Sequence, residues 1–366
     1  MIIKKKFLRA FVLLLSLSIA ISSVFFISAP ITAYAAANNT HYFNKLNQGQ
    51  QAIYTLMLNK LQNTPNDDGS PIVVNLTTSE ITSLKLTCDT ISGAVSTVIQ
   101  PAYSAFLFDH PEIFWIDFIK PVNIDWTCSG KDISSLTLTF PSLQNAASDK
   151  KKIDAILANY AVTGATDYDK LKNMHDYLIN LITSPSIPNP IPPNPRYHNI
   201  AGALIDYVAV CEGYSKAFKL LCDKAGIPCV LASGNIYSNS LQHMWNCVQI
   251  DGNWYAVDLT WDDKDNKVYY DYFLVGSSSV DTNFNRQAFS QSHTPDKRFA
   301  NPLVLANFSP PVLSDIAYIN RDINNTNTTN NTINKAESNN YNVPIIFAPP
   351  IPVIEMIEDP FVYVTN

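Results

Sequence analysis

The sequence predicts an α+β fold in which one well-defined helix packs on an antiparallel sheet. Three observations support this class. Apolar residues recur at steps of three and four after Cys211, which indicates a helix with one buried face. Two strand-like runs then meet at Asp251-Gly252, a favoured two-residue hairpin turn. The chain of 366 residues is 46% hydrophobic and 15% charged, which suits one large or two ordinary domains with a real core.

The first 35 residues have the three parts of a signal peptide. The basic start is Lys4, Lys5, Lys6 and Arg9, and an apolar run follows from Phe11 to Ile27. Ala33-Tyr34-Ala35 then supplies small residues at the positions that a signal peptidase reads. The alternative is an uncleaved membrane anchor, since the run is near the lower length limit for spanning. We expect cleavage and export.

Removal of residues 1–35 leaves an acidic protein. The segment carries four basic and no acidic residues, so the formal net charge changes from −6 to −10. An acidic surface is a poor match for nucleic acid or anionic lipid. No later segment is predicted to be long and apolar enough to span a membrane. We therefore expect a protein or peptide substrate, with the cell wall as one setting, and neither nucleic acid nor, after signal removal, a membrane as partner.

An N-terminal α+β region is predicted over residues 36–147. The stretch 36–64 has helical spacing, and so does most of 80–108. Residues 72–76 and 134–140 alternate as strands do. These segments together predict a small mixed region ahead of the main domain.

The main domain is predicted over residues 148–319. It opens with two helices within 148–182, followed by the proline-dense segment Ser184–Pro195, which cannot continue a helix. A short helix near Asn199–Asp206 then precedes Cys211. Beyond the domain, an Asn- and Thr-rich linker (320–340) without an apolar period is predicted to be disordered, and an apolar, proline-rich tail (341–366) either packs as an edge extension or stays loose.

The helix after Cys211 is the best-defined element of the sequence. Gly226 supplies its C-terminal cap and Pro228 blocks its continuation. Cys211 falls at the N-terminal end of the apolar face, and a strand is predicted over 229–234. The residues that form this face are Tyr214, Ala217, Phe218, Leu221 and Ala225.

The hairpin turn sets the register of the two strands that follow. If Asp251 and Gly252 form the loop, His243 and Asp258 share one face as diagonal neighbours, with Cα atoms about 7–8 Å apart. That separation permits an imidazole–carboxylate hydrogen bond. The register predicts the pairs Ile250 with Asn253, His243 with Thr260, and Trp245 with Asp258.

Cys211, His243 and Asp258 therefore form a candidate nucleophilic thiol site. A helix N-terminus and a nearby imidazole both favour the thiolate form of a cysteine. His243 would take the thiol proton and return it to a leaving amine, and Asp258 would fix the ring. The alternatives are a core cysteine, a structural histidine and an aspartate paired with a strand neighbour.

The remaining cysteines and histidines offer weaker signals. Cys88 and Cys128 could pair, as could Cys222 and Cys229, or each could be a buried free thiol, whereas Cys247 is predicted to lie in the core. His198 could line a cleft, whereas His41 and His293 are predicted to lie at the surface. No pair of residues has metal-ligand spacing and no glycine-rich phosphate loop occurs, so neither a metal nor a cofactor is expected.

Trp245, Trp254 and Trp261 are predicted to cluster near the site, either as hairpin core or as a wall that excludes water.

Several segments together resemble the transglutaminase-like superfamily, in its secreted bacterial branch. The resemblance covers about residues 165–275 and includes the lead-in helix with His175-Asp176-Tyr177-Leu178. The three spaced segments are Val210-Cys211-Glu212-Gly213-Tyr214-Ser215-Lys216-Ala217-Phe218, His243-Met244-Trp245-Asn246 and Gly252-Asn253-Trp254-Tyr255-Ala256-Val257-Asp258-Leu259-Thr260-Trp261-Asp262-Asp263.

The resemblance implies a papain-like α+β core and the roles of nucleophile, base and orienting acid for Cys211, His243 and Asp258. It implies thiol-dependent acyl transfer on amide bonds, either cross-linking or deamidation of protein glutamine. The same triad also serves cysteine peptidases and amidases, and some members of the superfamily have no catalysis. A non-catalytic module that binds a cell surface or cell wall is therefore a further alternative.

Overall fold

The computed structural model confirms the predicted α+β class. It describes residues 41–185, 194–236, 241–264, 267–280, 287–295, 309–319 and 362–364. The predicted signal peptide and linker lie outside these residues, as do most of the proline-dense segment and most of the tail. The predicted domain boundaries remain predictions.

The helices of the described residues lie close to the segments whose spacing predicted them, except for the last two, which the sequence analysis did not predict. They are α1 (Gln48–Leu61), α2 (Thr78–Leu84), α3 (Ile91–Ala94), α4 (Gln100–Asp109), α5 (Ala146–Asn159), α6 (Asp167–Leu181), α7 (Cys211–Ala225), α8 (Leu259–Asp262) and α9 (Phe289–Ser292). Short 3-10 turns span Phe43–Lys45 and Pro195–His198, and π-helical turns span Val95–Ile99 and Gly202–Asp206.

The strands form two main sheets and one short ribbon. They are β1 (Ile72–Asn75), β2 (Val122–Ser129), β3 (Asp132–Phe140), β4 (Cys229–Ile236), β5 (Leu241–Ile250), β6 (Asn253–Val257), β7 (Asp263–Lys264), β8 (Lys267–Val268), β9 (Phe273–Val275), β10 (His293–Pro295) and β11 (Val362–Val364). One sheet has the order β1-β3-β2-β11 and the other β10-β4-β5-β6-β9, while β7 pairs with β8.

The first sheet contains one strand that the sequence analysis did not predict. Strand β2 pairs antiparallel with β3 along most of its length. On its other side, β2 pairs in parallel with β11 from the tail, so Val362–Val364 forms an edge extension. This is one of the two arrangements that the apolar tail allowed.

The second sheet positions the candidate site, and its β5–β6 hairpin has the predicted turn. Ile250 pairs with Asn253, and Asp251 and Gly252 have φ values of 50° and 79°. Two positive φ values in a row give the hairpin turn the twist of its flanking strands. The predicted pairings of His243 with Thr260 and of Trp245 with Asp258 are both wrong. The β5–β6 ladder ends at the pair Asn246 and Val257, after which Asp258 caps α8 and Thr260 lies in it.

Helix α7 packs its apolar face on β4 and β5, as predicted. Tyr214, Ala217 and Phe218 are fully buried, and Gly226 ends the helix with a φ of 73°. A left-handed residue at this position costs least for glycine, which has no Cβ. The helix thus has a fixed face toward the sheet and a fixed end.

One helical stretch contradicts the expectation that no later segment could span a membrane. Ile91–Asp109 covers 19 residues with a mean hydropathy of 1.2, so by length and composition alone it could cross a membrane. Within the protein, 56% of the stretch is buried, and α4 packs against α1. Its apolar character is therefore accounted for by the core that it helps to form.

The cysteines divide into one disulfide and four free thiols. Cys88 and Cys128 form a disulfide across 40 residues of sequence. Cys222 and Cys229 are free and buried, so the second possible bridge is not formed. Cys247 is 1% exposed and lies in the core, as predicted.

Candidate active site

Cys211 is the first residue of α7 and is 8% exposed. Val210 precedes it in an extended conformation, and no side chain caps the helix at that position. The N–H groups of a first helical turn have no acceptor within the helix. The thiol therefore lies where the positive end of the helix dipole and uncapped backbone donors are available to an anion.

Two polar contacts hold the start of α7 against β5. Ser215, one turn after Cys211, donates its hydroxyl to the Met244 carbonyl at 3.1 Å. The Asn246 amide donates to the Ser215 carbonyl at 3.0 Å. Because Met244 directly follows His243, these bonds fix the helix start relative to the strand that carries the imidazole.

Gly213 permits the close approach of α7 to the segment before it. A Cβ at this position would lie 2.6 Å from the Ala209 Cβ and 2.8 Å from the Tyr197 carbonyl oxygen. Both distances are far shorter than a normal contact. The glycine that follows Cys211 by two residues is therefore a packing requirement of the site.

His243 lies on β5 between the other two predicted site residues. Its Nε2 donates to Asp258 Oδ2 at 2.6 Å, since an ionised carboxylate can only accept. The ring also has hydrogen-bond and charge interactions with Cys211. Because Nε2 is engaged by Asp258, Nδ1 is the nitrogen available to the thiol. The structure thus brings Cys211, His243 and Asp258 together in the predicted order.

Asp258 lies between the last residue of β6 and the first residue of α8. Its Oδ1 accepts from the backbone N–H groups of Thr260 and Trp261 at 3.1 and 3.2 Å, which makes it the N-cap of that helix. This cap turns the chain out of the strand, which is why Thr260 does not continue the ladder opposite His243. The same side chain thus ends the strand and leaves Oδ2 directed at His243.

His293 is a site residue that the sequence analysis missed. Its predicted surface position is wrong, because the residue is 1% exposed and its Nε2 lies 3.1 Å from Asp258 Oδ2. It arrives on β10, which pairs with β4. A Cβ at Gly234 on β4 would lie 2.1 Å from the Thr294 carbonyl oxygen, so this close pairing requires glycine there.

The charges of the cluster shift the pKa values of its members in opposite directions. Burial alone would lower the pKa of His243, but the charge of Asp258 and the interactions with Cys211 raise it to about 10. Burial likewise opposes ionisation of Asp258, yet the charge and hydrogen bond of His243 and the bond from His293 hold its pKa below the ordinary value. Burial lowers the pKa of His293 despite its bond to Asp258. The arrangement favours a charged His243 and a neutral His293.

His243, Asp258 and His293 also carry donor atoms that all lie within 4.8 Å of one another. Three such donors could meet at one metal ion. Their closeness has a simpler cause, because both imidazoles bond to the same carboxylate oxygen. The donor set gives no reason to assign a cation.

Two of the three predicted tryptophans flank the imidazole. The Trp245 ring stacks near His243 at 6.4 Å between centroids, and the Trp261 ring lies at 5.6 Å. Both also contact His293 edge-on, at 5.1 and 4.5 Å. The imidazole–carboxylate pair beside these rings is buried, with His243 6% and Asp258 1% exposed. Trp254 lies on β6 and is half-buried.

The other histidines have partners of their own. His175, on the lead-in helix α6, is fully buried and bonds Asp262 at 3.1 Å, which ties α6 to the end of α8. His198, the possible cleft residue, lies 3.0 Å from Glu212 and contacts the Phe118 ring. His198 thus lies beside the helix turn that carries Cys211, since Glu212 is the next residue.

Comparison with known proteins finds one family model that matches the same region. Residues 154–259 match the model of the transglutaminase-like superfamily. The Kyphoscoliosis peptidase of Mus musculus is 30% identical over 89 residues, which are 22% of this chain and 11% of that protein. The chain spans about a tenth of the length of the curated relatives that it matches.

Solved structures give more distant matches. A candidate cysteine protease from Cytophaga hutchinsonii is 13% identical, with a TM-score of 0.25 over 38% of this chain and 62% of that one. A structure described as a TGase is 14% identical, with a TM-score of 0.24 over 58% of each chain.

Proposed function

Because residues 154–259 match the model of the transglutaminase-like superfamily, we propose that this chain is a thiol-dependent acyltransferase that acts on amide bonds. The observation that supports this most strongly is the hydrogen bond of 2.6 Å between His243 and Asp258, beside a cysteine at a helix start. A buried imidazole paired with a carboxylate is arranged to hold and move one proton. The preferred substrate class is protein-bound carboxamide, such as the glutamine side chain.

The proposed first half-reaction forms a thioester. The Cys211 thiolate attacks the carboxamide carbon, and an S–C bond forms as the C=O electron pair moves to oxygen. The uncapped N–H groups at the start of α7, including that of Cys211, would stabilise this oxyanion. Collapse breaks the C–N bond, and protonated His243 gives its proton to the nitrogen, so that ammonia leaves.

The second half-reaction reverses the roles. An amine or water gives a proton to His243 and attacks the thioester carbon, after which the S–C bond breaks and the thiolate is regenerated. With an amine the product is a cross-link, and with water it is a deamidated side chain. Asp258 holds Nε2 of the ring throughout and stabilises the imidazolium that donates its proton in the first half-reaction and forms again in the second.

A cysteine peptidase with the same triad is the second candidate. The 89-residue similarity to a mammalian protein named a peptidase favours it. The chemistry differs only in the amide attacked, because a backbone amide releases a new amino terminus instead of ammonia. The residues of the triad have the same roles in both reactions.

We further propose that the protein acts after export. The basic start and apolar run of residues 1–35 support a cleaved signal peptide. The Cys88–Cys128 disulfide supports an oxidising compartment. Amino-terminal sequencing of the protein recovered from the culture medium should begin near residue 36, and an intact Met1 in a membrane fraction would contradict this.

The experiment that tests the function measures three products from one incubation. Purified protein without residues 1–35 is mixed with a glutamine-containing protein and a fluorescent primary amine. Amine incorporation or ammonia release that His243→Ala abolishes would support acyl transfer on side-chain amides. New amino termini without ammonia would support the peptidase. No product of any kind, with an unreactive Cys211, would contradict both and leave the binding module.

The rate of the proposed reaction should depend on pH through His243. Its pKa is raised from 6.5 to about 10, so the ring stays protonated and can donate to the leaving nitrogen across the neutral range. Turnover should fall as pH rises through about 10. Protonation of His243 also contributes to the free energy of unfolding. This contribution is fully present below pH 6.5 and is lost as the pH rises through about 10. A rate profile that falls near pH 6.5 instead would contradict the assignment.

A further inference from the structure

We propose that His293 is a positioning residue of the active site, which acts on Cys211 through Asp258 and His243. This inference rests on the proposed function. The observation that carries it is that Asp258 Oδ2 accepts from two imidazoles, His243 Nε2 at 2.6 Å and His293 Nε2 at 3.1 Å. His243 is thus one of two rings that the carboxylate holds.

The four hydrogen bonds to Asp258 fix its carboxylate completely. Oδ1 accepts from the backbone N–H groups of Thr260 and Trp261. With Oδ1 held in this way, the remaining freedom of the carboxylate is the position of Oδ2. If His243 were the only partner of Oδ2, the position of Oδ2 would depend on the same ring that Asp258 has to orient. His293 supplies the independent contact, so it sets where the carboxylate meets His243.

The surroundings of His293 hold this ring rigidly. It stacks on Phe289 with 4.1 Å between ring centroids and an angle of 10° between planes. Its Nδ1 lies 2.8 Å from the Ser292 hydroxyl. A neutral imidazole whose Nε2 donates to Asp258 has an accepting Nδ1. The Ser292 hydroxyl beside it also lies 3.1 Å from the Phe289 carbonyl, so it holds the ring in place but can donate to only one of these two acceptors.

The backbone also shows that His293 is brought to Asp258 from a remote part of the chain. It lies on β10, opposite Ile236 of β4, and Gly234 on the same strand pairs with both His243 and Pro295. Strand β4 therefore runs between the two histidine-bearing strands. The charged or titratable groups that face Asp258 are His243 from β5, His293 from β10 and Asp262 within α8.

The test needs no substrate, because it follows alkylation of Cys211 by iodoacetamide, mapped by mass spectrometry. His293→Phe keeps a flat ring on Phe289 but removes both nitrogens. His293→Gln keeps an N–H donor for Asp258 and serves as the matched conservative variant. At about pH 6 we expect the phenylalanine variant to react roughly tenfold more slowly than the wild type and the glutamine variant to recover most of that rate. At about pH 10, where a thiol ionises without help, the three rates should converge.

Each outcome separates this proposal from the one on which it rests. If the wild type shows no rapid alkylation that depends on His243, the proposed function itself fails. If it does, and His293→Phe reacts as fast as the wild type at about pH 6, His293 has no positioning role. A loss of rate that is equal at both pH values would indicate a merely structural residue and would also overturn the inference. Urea unfolding of each variant checks that the protein is folded.

Discussion

Replacement of Cys211 with alanine is expected to abolish product formation while the protein stays folded. The proposed mechanism passes every acyl group through this sulfur, and removal of a nucleophile from a triad costs about 10⁴-fold or more in turnover. The thiol is small and lies at the edge of the core, at 8% exposure. We therefore expect the free energy of unfolding to change by no more than about 1 kcal/mol.

Cys222 provides the matched control for this prediction. It lies on the same helix, 11 residues later, and is fully buried and free. Cys222→Ala should keep its activity although it removes a more deeply buried sulfur. Turnover by Cys211→Ala at the wild-type rate, or unfolding of that variant alone, would mean that Cys211 is a structural core residue.

Loss of the carboxylate of Asp223 is expected to have the largest effect on stability. Lys219 Nζ lies 3.2 Å from Asp223 Oδ2, and the two side chains are 2% and 0% exposed. Lys219 also donates to the Cys229 carbonyl at 3.0 Å, so the pair joins α7 to β4 behind the active site. Asp223→Asn removes the carboxylate charge that lies against the buried ammonium, which should lower the free energy of unfolding by about 3–5 kcal/mol.

A less buried pair of the same spacing gives the comparison. Lys150 and Asp154 are also four residues apart on a helix, at 2.8 Å, but their side chains are 17% and 35% exposed. Asp154→Asn should cost less than about 1 kcal/mol, because water reaches this pair and can solvate the ammonium that remains. Urea denaturation measures both variants. Equal losses would show that burial of the Lys219 pair has no special role in holding α7 on the sheet.

The parts of the site that local sequence controls could be predicted. The face of α7 follows from apolar residues at helical steps, and its end follows from Gly226. The β5–β6 register follows from Asp251-Gly252, because a two-residue turn fixes which strand residues face each other. From that register alone, the His243–Asp258 hydrogen bond was predictable, and the structure contains it at 2.6 Å.

The parts that depend on distant segments could not be predicted. His293 is 35 residues beyond Asp258 in sequence, and its position depends on the pairing of β10 with β4 through Gly234. No local period reveals such a pairing, so a lone histidine between serine and threonine appeared exposed. The end of β6 was missed because the Asp258 side chain competes with the ladder by capping α8. Strand β2 was missed because its burial alternates only at its start, where Val122 and Ile124 are buried, and the rest of the strand is largely exposed.

The central claim is that Cys211 and His243 share one proton as a thiolate–imidazolium pair. The most direct measurement is the rate of Cys211 alkylation by iodoacetamide across pH, compared between the wild type and His243→Ala. We expect rapid alkylation of the wild type at mildly acidic pH and a large loss of that rate in the variant, since an unassisted cysteine has a pKa of about 8.5. Slow alkylation of the wild type that does not depend on His243 would contradict the account and favour the non-catalytic binding module.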